Sequence, residues 1–139
     1  MRTNQDIEGY IIKMGLKYEE VGEGTWVIHD EQDKIDNIVV RHDAPVLVFR
    51  VKLMELPKHG ELTGLFRTLL ELNMDMVSGA YGLEGNAIVA TDTIQSENLD
   101  YNEFEASLDG LTMCITDHYP KLVKYVELNG AGASKSAQA

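Results

Sequence analysis

Residues 78–87, SGAYGLEGNA, place a glycine at every third position, which fits either a phosphate-binding loop or a β-hairpin. A phosphate-binding loop follows a strand and opens a helix, whose N-terminal amides hold the anion. Here the order is reversed, because a helical pattern precedes the glycines and strand-like residues follow them. No Lys or Arg lies between Arg67 and Lys121 to neutralise a phosphate. The stretch therefore predicts a hairpin, with Gly79 ending the helix and Gly85 at the hairpin tip.

The segments outward from these glycines predict an α+β fold with an antiparallel sheet. The spacing of apolar residues gives, in chain order, a helix with its apolar face at residues 7, 10, 11 and 14, strands over 25–29, 37–42 and 46–54, a helix over 61–77, strands over 80–84 and 87–93, and a helix from Tyr101 to about Leu128. The order is thus α-β-β-β-α-β-β-α, and a further short strand over 17–21 fits the same alternation. Hairpin-length links between neighbouring strands exclude parallel crossovers.

Composition limits the classes of partner. The chain has 139 residues, enough for one domain, which we place at 1–128; residues 129–139 carry no large apolar side chain and are expected to form a disordered tail. Its 23 acidic and 12 basic side chains give a net charge of −11, which disfavours nucleic acid as a partner. No apolar run approaches the roughly 20 residues of a membrane span, and the N-terminal residues lack a secretory h-region. With one cysteine, these features are typical of a reducing, bacterial-type cytoplasm.

The residues that could carry chemistry are scattered. His29 and His42 fall at opposite ends of a predicted hairpin, about 15 Å apart at roughly 3.3 Å per residue, too far to share a metal ion. His59 lies in a loop, His118 lies on the last helix, and Cys114 is off the apolar stripe of that helix with no basic neighbour to activate it. The sequence contains neither G-x-S-x-G nor H-E-x-x-H. We therefore predict no metal, no cofactor and no enzyme activity, although carboxylates paired only in space would leave no such signature.

The helix over 61–77 is apolar over an arc wider than covering a core requires. At about 100° per residue, its apolar residues span about 200°, whereas a surface helix needs roughly 100°. They form two stripes, Leu62, Leu65, Leu69, Leu72 and Met76 on one side and Phe66, Leu70, Met74 and Val77 on the other. One stripe can pack on the sheet. The other then faces either the last helix of the same chain or a second copy of the protein.

Residues 69–122 resemble the bacterial type III secretion chaperone fold, which includes the Tir chaperone family and the YbjN-like candidate sensory-transduction regulators. LLELNMDMVSGAYGLEGNAIVATDTI (69–94) is similar to the family's helix ending in Leu-Leu-Glu-Leu-Asn, its Gly-aromatic-Gly-Leu strand, its glycine hairpin and its β-branched strand. LDYNEFEASLDGLTMCITDHYPKL (99–122) is similar to the closing helix. The first 60 residues match in pattern only. These motifs are structural, so the resemblance carries over no catalytic residue.

The resemblance implies a homodimer that holds an extended segment of a secreted or regulatory protein, through β-addition and helix-in-groove contacts. The candidate dimer residues come from the helix over 61–77: Leu62, Leu65, Phe66, Leu69, Leu70, Met74 and Val77. The candidate partner-binding residues come from the first helix and the sheet: Ile7, Tyr10, Ile11, Met14, Trp26, Ile28 and Phe49. An ordinary core role is the alternative for the second set. A regulatory or small-ligand-binding domain of the same fold is the alternative function.

Overall fold

The computed structural model describes residues 2–31 and 35–138, with side chains through residue 125. Within these residues the chain forms α1 (Asn4–Met14), β1 (Lys17–Gly22), β2 (Thr25–Asp30), β3 (Ile35–Asp43), β4 (Val46–Glu55), α2 (Thr63–Asn73), β5 (Ala80–Glu84), β6 (Ala87–Gln95) and α3 (Tyr101–Gln138). The predicted α+β class is confirmed. The optional strand over 17–21 is present as β1, so four strands rather than three precede α2.

The described strands form one antiparallel sheet in the order β1-β2-β3-β4-β6-β5. Strand β6 returns to pair with β4, which places β5 at one edge of the sheet and β1 at the other. The 85–86 turn closes the β5–β6 hairpin, and Gly85 has the positive φ of 59° that such a turn requires. The hairpin predicted from the glycine-rich stretch is therefore present.

Helix α2 is shorter than the sequence pattern predicted. It ends at Asn73, where Met74 caps it in a right-handed conformation, so Gly79 does not end the helix. Gly79 does have a positive φ of 78°, and a Cβ there would lie 2.3 Å from the backbone oxygen of Thr91. The glycine is needed because the backbone at this position lies directly against Thr91 and Asp92 of β6. Residues 74–77 belong to this connection, although they continue the apolar pattern of the helix.

The core lies between one face of the sheet and the helices. Helix α1 begins at a capping box formed by Thr3 and Asp6 and ends at Gly15, which has a left-handed conformation. Its inward residues join the aromatic centre of the core, where the Phe49 and Phe104 rings meet edge to face at 5.3 Å between centroids. The opposite face of the sheet carries half-buried valines on β2, β3 and β4, namely Val27, Val39, Val46 and Val48. It also carries Arg50, which is paired with Glu84 of β5.

Helix α3 runs through Pro120 without a break, as its continuous stripe predicted. The stripe residues Phe104, Leu108, Leu111, Ile115 and Leu122 are buried, whereas Tyr119 is exposed, contrary to the pattern. The backbone continues as helix beyond Leu128, where the pattern placed its end. Val126 and the tail proposed for 129–139 lie outside the residues whose side chains are described, so the disorder of that tail stays a prediction.

Candidate functional site

The two apolar stripes of α2 have different environments. Leu65, Leu69 and Leu72 of the first stripe are buried, and Leu62 and Met76 at its ends are half-buried against the core. In the second stripe Phe66 also packs against the core. The remaining residues are open to solvent: the exposed fraction is 69% for Leu70, 86% for Met74 and 83% for Val77. We call these three residues the α2 patch.

Polar contacts at the C-terminal end of α2 fix which stripe is buried. The Asn73 side chain accepts a hydrogen bond from the backbone N–H of Tyr81 at 2.7 Å and donates one to its carbonyl at 3.3 Å, which attaches the end of α2 to the edge strand β5. On the other side, the hydroxyl groups of Thr68 and Tyr125 are 2.7 Å apart. A Cβ on Gly64 would lie 3.3 Å from the Tyr125 ring, so this glycine permits close packing of α2 on α3. These contacts orient the α2 patch away from the core.

The 74–79 segment packs against α3 beside the patch. The backbone N–H of Val77 lies 3.5 Å from the sulfur of Cys114, and a Cβ on Gly110 would meet the Ser78 hydroxyl oxygen at 2.8 Å. Cys114 is buried by this contact, although the helical wheel placed it off the apolar stripe. Met113, the residue before Cys114 on α3, is also exposed.

Acidic residues surround the α2 patch. Glu71 and Asp75 alternate with its apolar residues and are exposed. Arg67, one turn earlier, is the nearest preceding basic residue in the sequence and forms an i,i+4 ion pair with Glu71 at 3.5 Å. The patch is therefore an apolar surface with a negative border, which favours an apolar or basic partner surface.

The edge strand β5 lies next to α2 and differs from the opposite edge. Gly82, in its middle, is exposed, and a Cβ there would meet nothing within 4 Å. Leu83 is on the helix-bearing side and is also exposed. Strand β1 at the other edge presents the charged residues Glu19 and Glu20. Charged side chains protect an edge from pairing with another chain, and Asn73 already occupies the backbone N–H and C=O of Tyr81, so residues 82–84 are the part of β5 better suited to accept a strand.

Most of the predicted partner-binding residues lie inside the chain's own core. Ile7, Ile11, Trp26, Ile28 and Phe49 are buried together, as the alternative interpretation stated. A partner could reach them only if α1 moved away from the sheet. The remaining two, Tyr10 and Met14, are half-buried.

Tyr10 is held in place by contacts with the segment around α3. Its hydroxyl donates to the Leu99 carbonyl at 2.8 Å, and its ring lies 5.6 Å from that of Phe104. Together with Met14, it is the part of the predicted partner-binding set that a ligand could touch in this conformation.

The buried titratable side chains connect elements of the fold. The Tyr81 hydroxyl lies 2.8 Å from Nδ1 of His118, between β5 and α3, and burial raises the pKa of Tyr81 well above its usual value. Nδ1 of His42 lies 2.8 Å from the Asn4 side-chain oxygen, and burial lowers the pKa of His42. Both contacts tie a helix to a strand.

Two further properties bear on the class of site. Over residues 2–31 and 35–138, no three His, Cys, Asp or Glu side chains come together in a group that could hold a metal ion. Nor does any helix in this part of the chain combine the length and the apolar composition needed to cross a membrane.

Comparisons with known proteins identify the same fold family. The family model CesT_Tir_1 matches residues 1–128. No curated protein sequence matches significantly.

Among solved structures, the chain is similar to YbjN, a candidate transcription regulator from E. coli, with a TM-score of 0.66, 10% identity, and coverage of 86% of this chain and 93% of that one. It is also similar to a chain of the heterodimeric ExoU–SpcU complex from the type III secretion system of Pseudomonas aeruginosa, with a TM-score of 0.63, 15% identity, and coverage of 86% and 96%. The HopA1–SchA chaperone–effector complex gives a TM-score of 0.56 at 15% identity, with coverage of 77% and 84%. At these identities the likeness concerns the fold.

Proposed function

This chain belongs to the CesT_Tir_1 family, and from that premise we propose that it is a non-enzymatic, cytoplasmic protein-binding module that holds an extended segment of a partner protein. The observation that carries the proposal is the α2 patch, an apolar surface beside the edge strand β5. A contiguous exposed apolar surface is typical of a protein-interaction site. The complexes ExoU–SpcU and HopA1–SchA, which share the fold, support the same class of function.

The first partner of the α2 patch is a second copy of the chain. A two-fold axis makes one patch complementary to itself, so Leu70, Met74 and Val77 of each copy cover those of the other. Each leucine-sized side chain gains roughly 1.5–3 kcal/mol on full burial. Leu65 and Leu69, which the sequence also assigned to the interface, then support it from inside the core. Leu62 and Phe66 lie at the boundary between the two surfaces.

An extended client segment can add to the sheet at residues 82–84 of β5, because Asn73 already occupies the backbone N–H and C=O of Tyr81. The open position at Gly82 allows a close approach of another backbone on the outer side. Tyr10 and Met14 of α1 offer a second, partly exposed apolar contact. The other predicted partner-binding residues contribute by holding these elements in position.

Two experiments test this function. Light scattering after size exclusion at tens of micromolar should give the mass of two 15.5-kDa chains. For the client, the product of each neighbouring gene is co-expressed with this chain, and the purified complex is digested with protease. A client segment that stays extended by circular dichroism, yet is protected from digestion, supports the proposal. Failure of every neighbouring product to bind removes the client role and leaves the dimer to be judged alone.

A regulatory role is the second candidate, and the similarity to YbjN favours it. A net charge of −11 disfavours direct contact with nucleic acid, so such a regulator would act through a protein or a small ligand. The two candidates differ in the state of the partner. A regulator binds a partner that is already folded, whereas the chaperone-like module binds a segment that is unfolded when free.

A further inference from the structure

A groove opens on the side of the molecule away from the Tyr81 edge, where the ends of β3 and β4 meet the second half of α3. Its volume is about 550 Å³, within the roughly 300–1,000 Å³ common for ligand sites. The floor is apolar and is formed by Ile35, Val51 and Ile115, which are buried. The walls and rim are formed by Asp36, Asn37, Lys52, Leu53, Thr116, Tyr119 and Pro120.

The β3 wall of the groove is a β-bulge. The register of β2 and β3 shifts between Ile28 and Asp30. Two β3 residues, Asp36 and Asn37, therefore lie opposite a single β2 residue, and both line the groove. Asn37 also has a positive φ of 59°, which is uncommon for a residue with a side chain. Bulges re-aim side chains and are enriched next to binding sites.

The β4 wall has its own irregularity. Lys52 pairs with Val89 and Met54 pairs with Ile88, which leaves Leu53 as an extra residue with no partner on β6. Leu53 lines the groove. The ammonium group of Lys52 is paired with Glu55, so it is not a free cation at the rim.

The α3 wall carries a backbone acceptor that has lost its helical donor. Pro120 lies inside α3 and has no N–H, so the carbonyl of Thr116 cannot accept the usual hydrogen bond from residue 120. The Thr116 hydroxyl donates to the carbonyl of Thr112 at 2.9 Å, one turn back. Thr116 and Pro120 both line the groove, so the acceptor lies between two groove residues. A helix carbonyl that lacks its usual i+4 donor and lies beside an apolar surface can accept a hydrogen bond from an N–H of a ligand.

We propose that this groove, bounded by the bulges at Asp36–Asn37 and Leu53 and by Pro120, binds an apolar stretch of a partner polypeptide whose backbone N–H donates to the Thr116 carbonyl. A polypeptide combines an apolar side chain with an N–H at a fixed short distance, whereas a hydrocarbon chain supplies no donor. The Asp36 carboxylate at the rim lies 3.6 Å from Nδ1 of His29, so the Thr116 carbonyl is the acceptor on which the assignment of the ligand rests. The inference rests on the proposed protein-binding function and assigns it a second contact surface, formed by residues other than those of the α2 patch.

The test uses the full chain and the blocked dipeptide acetyl-Leu-Leu-amide as the probe, followed by ¹⁵N–¹H NMR. Saturable shifts are expected for residues 35–37, 51–53, 115–119 and 121. The same dipeptide with an N-methyl group on its second residue cannot donate at that position and should bind about 2–10-fold more weakly, the range for loss of one hydrogen bond.

Pro120→Ala restores an N–H to α3 and occupies the Thr116 carbonyl. It should raise the melting temperature, because the helical hydrogen bond is restored. It should also weaken binding of the probe by about the same 2–10-fold factor. Lys121→Ala, an exposed neighbour outside the groove, is the matched control and should leave the affinity unchanged.

The inference is overturned if the probe produces no saturable shifts in the groove. It is also overturned if Pro120→Ala binds the probe as tightly as wild-type protein does, and wild-type protein binds the N-methyl dipeptide as tightly as the unmodified dipeptide. A client that binds wild-type protein and Pro120→Ala equally well would leave the proposed function intact and would remove the groove from it. If the probe binds as expected but no neighbouring gene product binds as a client, the groove remains a peptide-binding site and the proposed client function is removed.

Discussion

Leu69 and Leu70 are adjacent in the sequence and chemically identical, yet they occupy opposite environments: 7% of Leu69 is exposed and 69% of Leu70. The first stripe of α2 is held against β5 and α3 by Asn73 and Tyr125, and the second stripe contacts solvent. The comparison shows that the exposed residues of the second apolar stripe of α2 do not pack into the core. One stripe builds the domain, and the other is available for an interface.

The strongest test of this difference places one aspartate in each stripe. Leu69→Asp puts an unpaired charge into the core and should lower the free energy of unfolding by at least about 4 kcal/mol. Leu70→Asp keeps the charge in water, so the fold should survive while two like charges oppose each other across the proposed dimer axis. Circular dichroism with thermal melts measures the first effect, and light scattering measures the second.

Ile12→Asp is the control for these variants, because Ile12 is an exposed apolar residue of α1, away from the α2 patch. It should leave both the fold and the dimer unchanged. If Leu70→Asp leaves the dimer intact at low micromolar concentration, the second stripe is not the interface.

The second comparison concerns two glycines of the stretch that decides the fold. Gly79 is left-handed and has the Thr91 carbonyl 2.3 Å from its would-be Cβ, whereas the same position at Gly82 is open. Gly79→Ala should therefore cost about 2–4 kcal/mol, from the left-handed strain and the forced shift of β6. Gly82→Ala should change stability by less than about 0.5 kcal/mol. Urea unfolding of both variants measures the difference, and equal values would show that the 74–79 segment can lift from β6.

Much of the fold could be predicted from local patterns. The strand alternation, the hairpin at Gly85 and the apolar stripe of α3 each depend on a few neighbouring residues. The orientation of α2 could not, because it is set by contacts between residues far apart in the sequence, such as Thr68 with Tyr125. Cys114 was misplaced for the same reason, since its burial comes from the distant Val77 segment.

The candidate site was less predictable than the fold. Alternating apolar residues such as Trp26 and Ile28 look the same whether they form a core or a docking face, and here they form the core. The groove beside Pro120 depends on bulges, which are register shifts between two strands and leave no signature in either strand alone. Pro120, a proline within a helical pattern, is the feature of the groove that can be recognised in the sequence.

A smaller effect comes from Asp92, which lies beside Gly79, with its Cβ 3.1 Å from the position of a Cβ on Gly79. Burial raises the pKa of Asp92, partly offset by a hydrogen bond from the Thr93 backbone. A carboxyl group with a raised folded pKa contributes most below its unfolded pKa and loses that contribution as pH rises through the folded value. Asp92→Asn should therefore melt higher than wild type at pH 7, and this advantage should shrink towards pH 4.

The melting temperatures of Asp92→Asn and wild type, measured at intervals between pH 4 and pH 7, provide the readout for Asp92. Asp75→Asn, at an exposed carboxyl group shortly before Gly79, controls for the substitution of an amide for a carboxyl group. A constant difference between Asp92→Asn and wild type would mean that Asp92 is hydrated in solution and is not buried beside Gly79.

The smallest expected effect is the salt dependence of the dimer, and its sign separates two partners for the exposed stripe. Glu71 and Asp75 border the patch, and each copy carries a net charge of −11, so two copies repel each other as they meet. Salt screens that repulsion, with a Debye length of about 10 Å at 0.1 M and about 3 Å at 1 M. Sedimentation equilibrium between 0.05 and 0.5 M NaCl should therefore show the dimer tightening by a few-fold. If the stripe instead evolved for a basic client, client binding should weaken over the same range, because screening then removes an attraction. A dimer that loosens with added salt would show that charge pairs, rather than the apolar residues Leu70, Met74 and Val77, hold the two copies together.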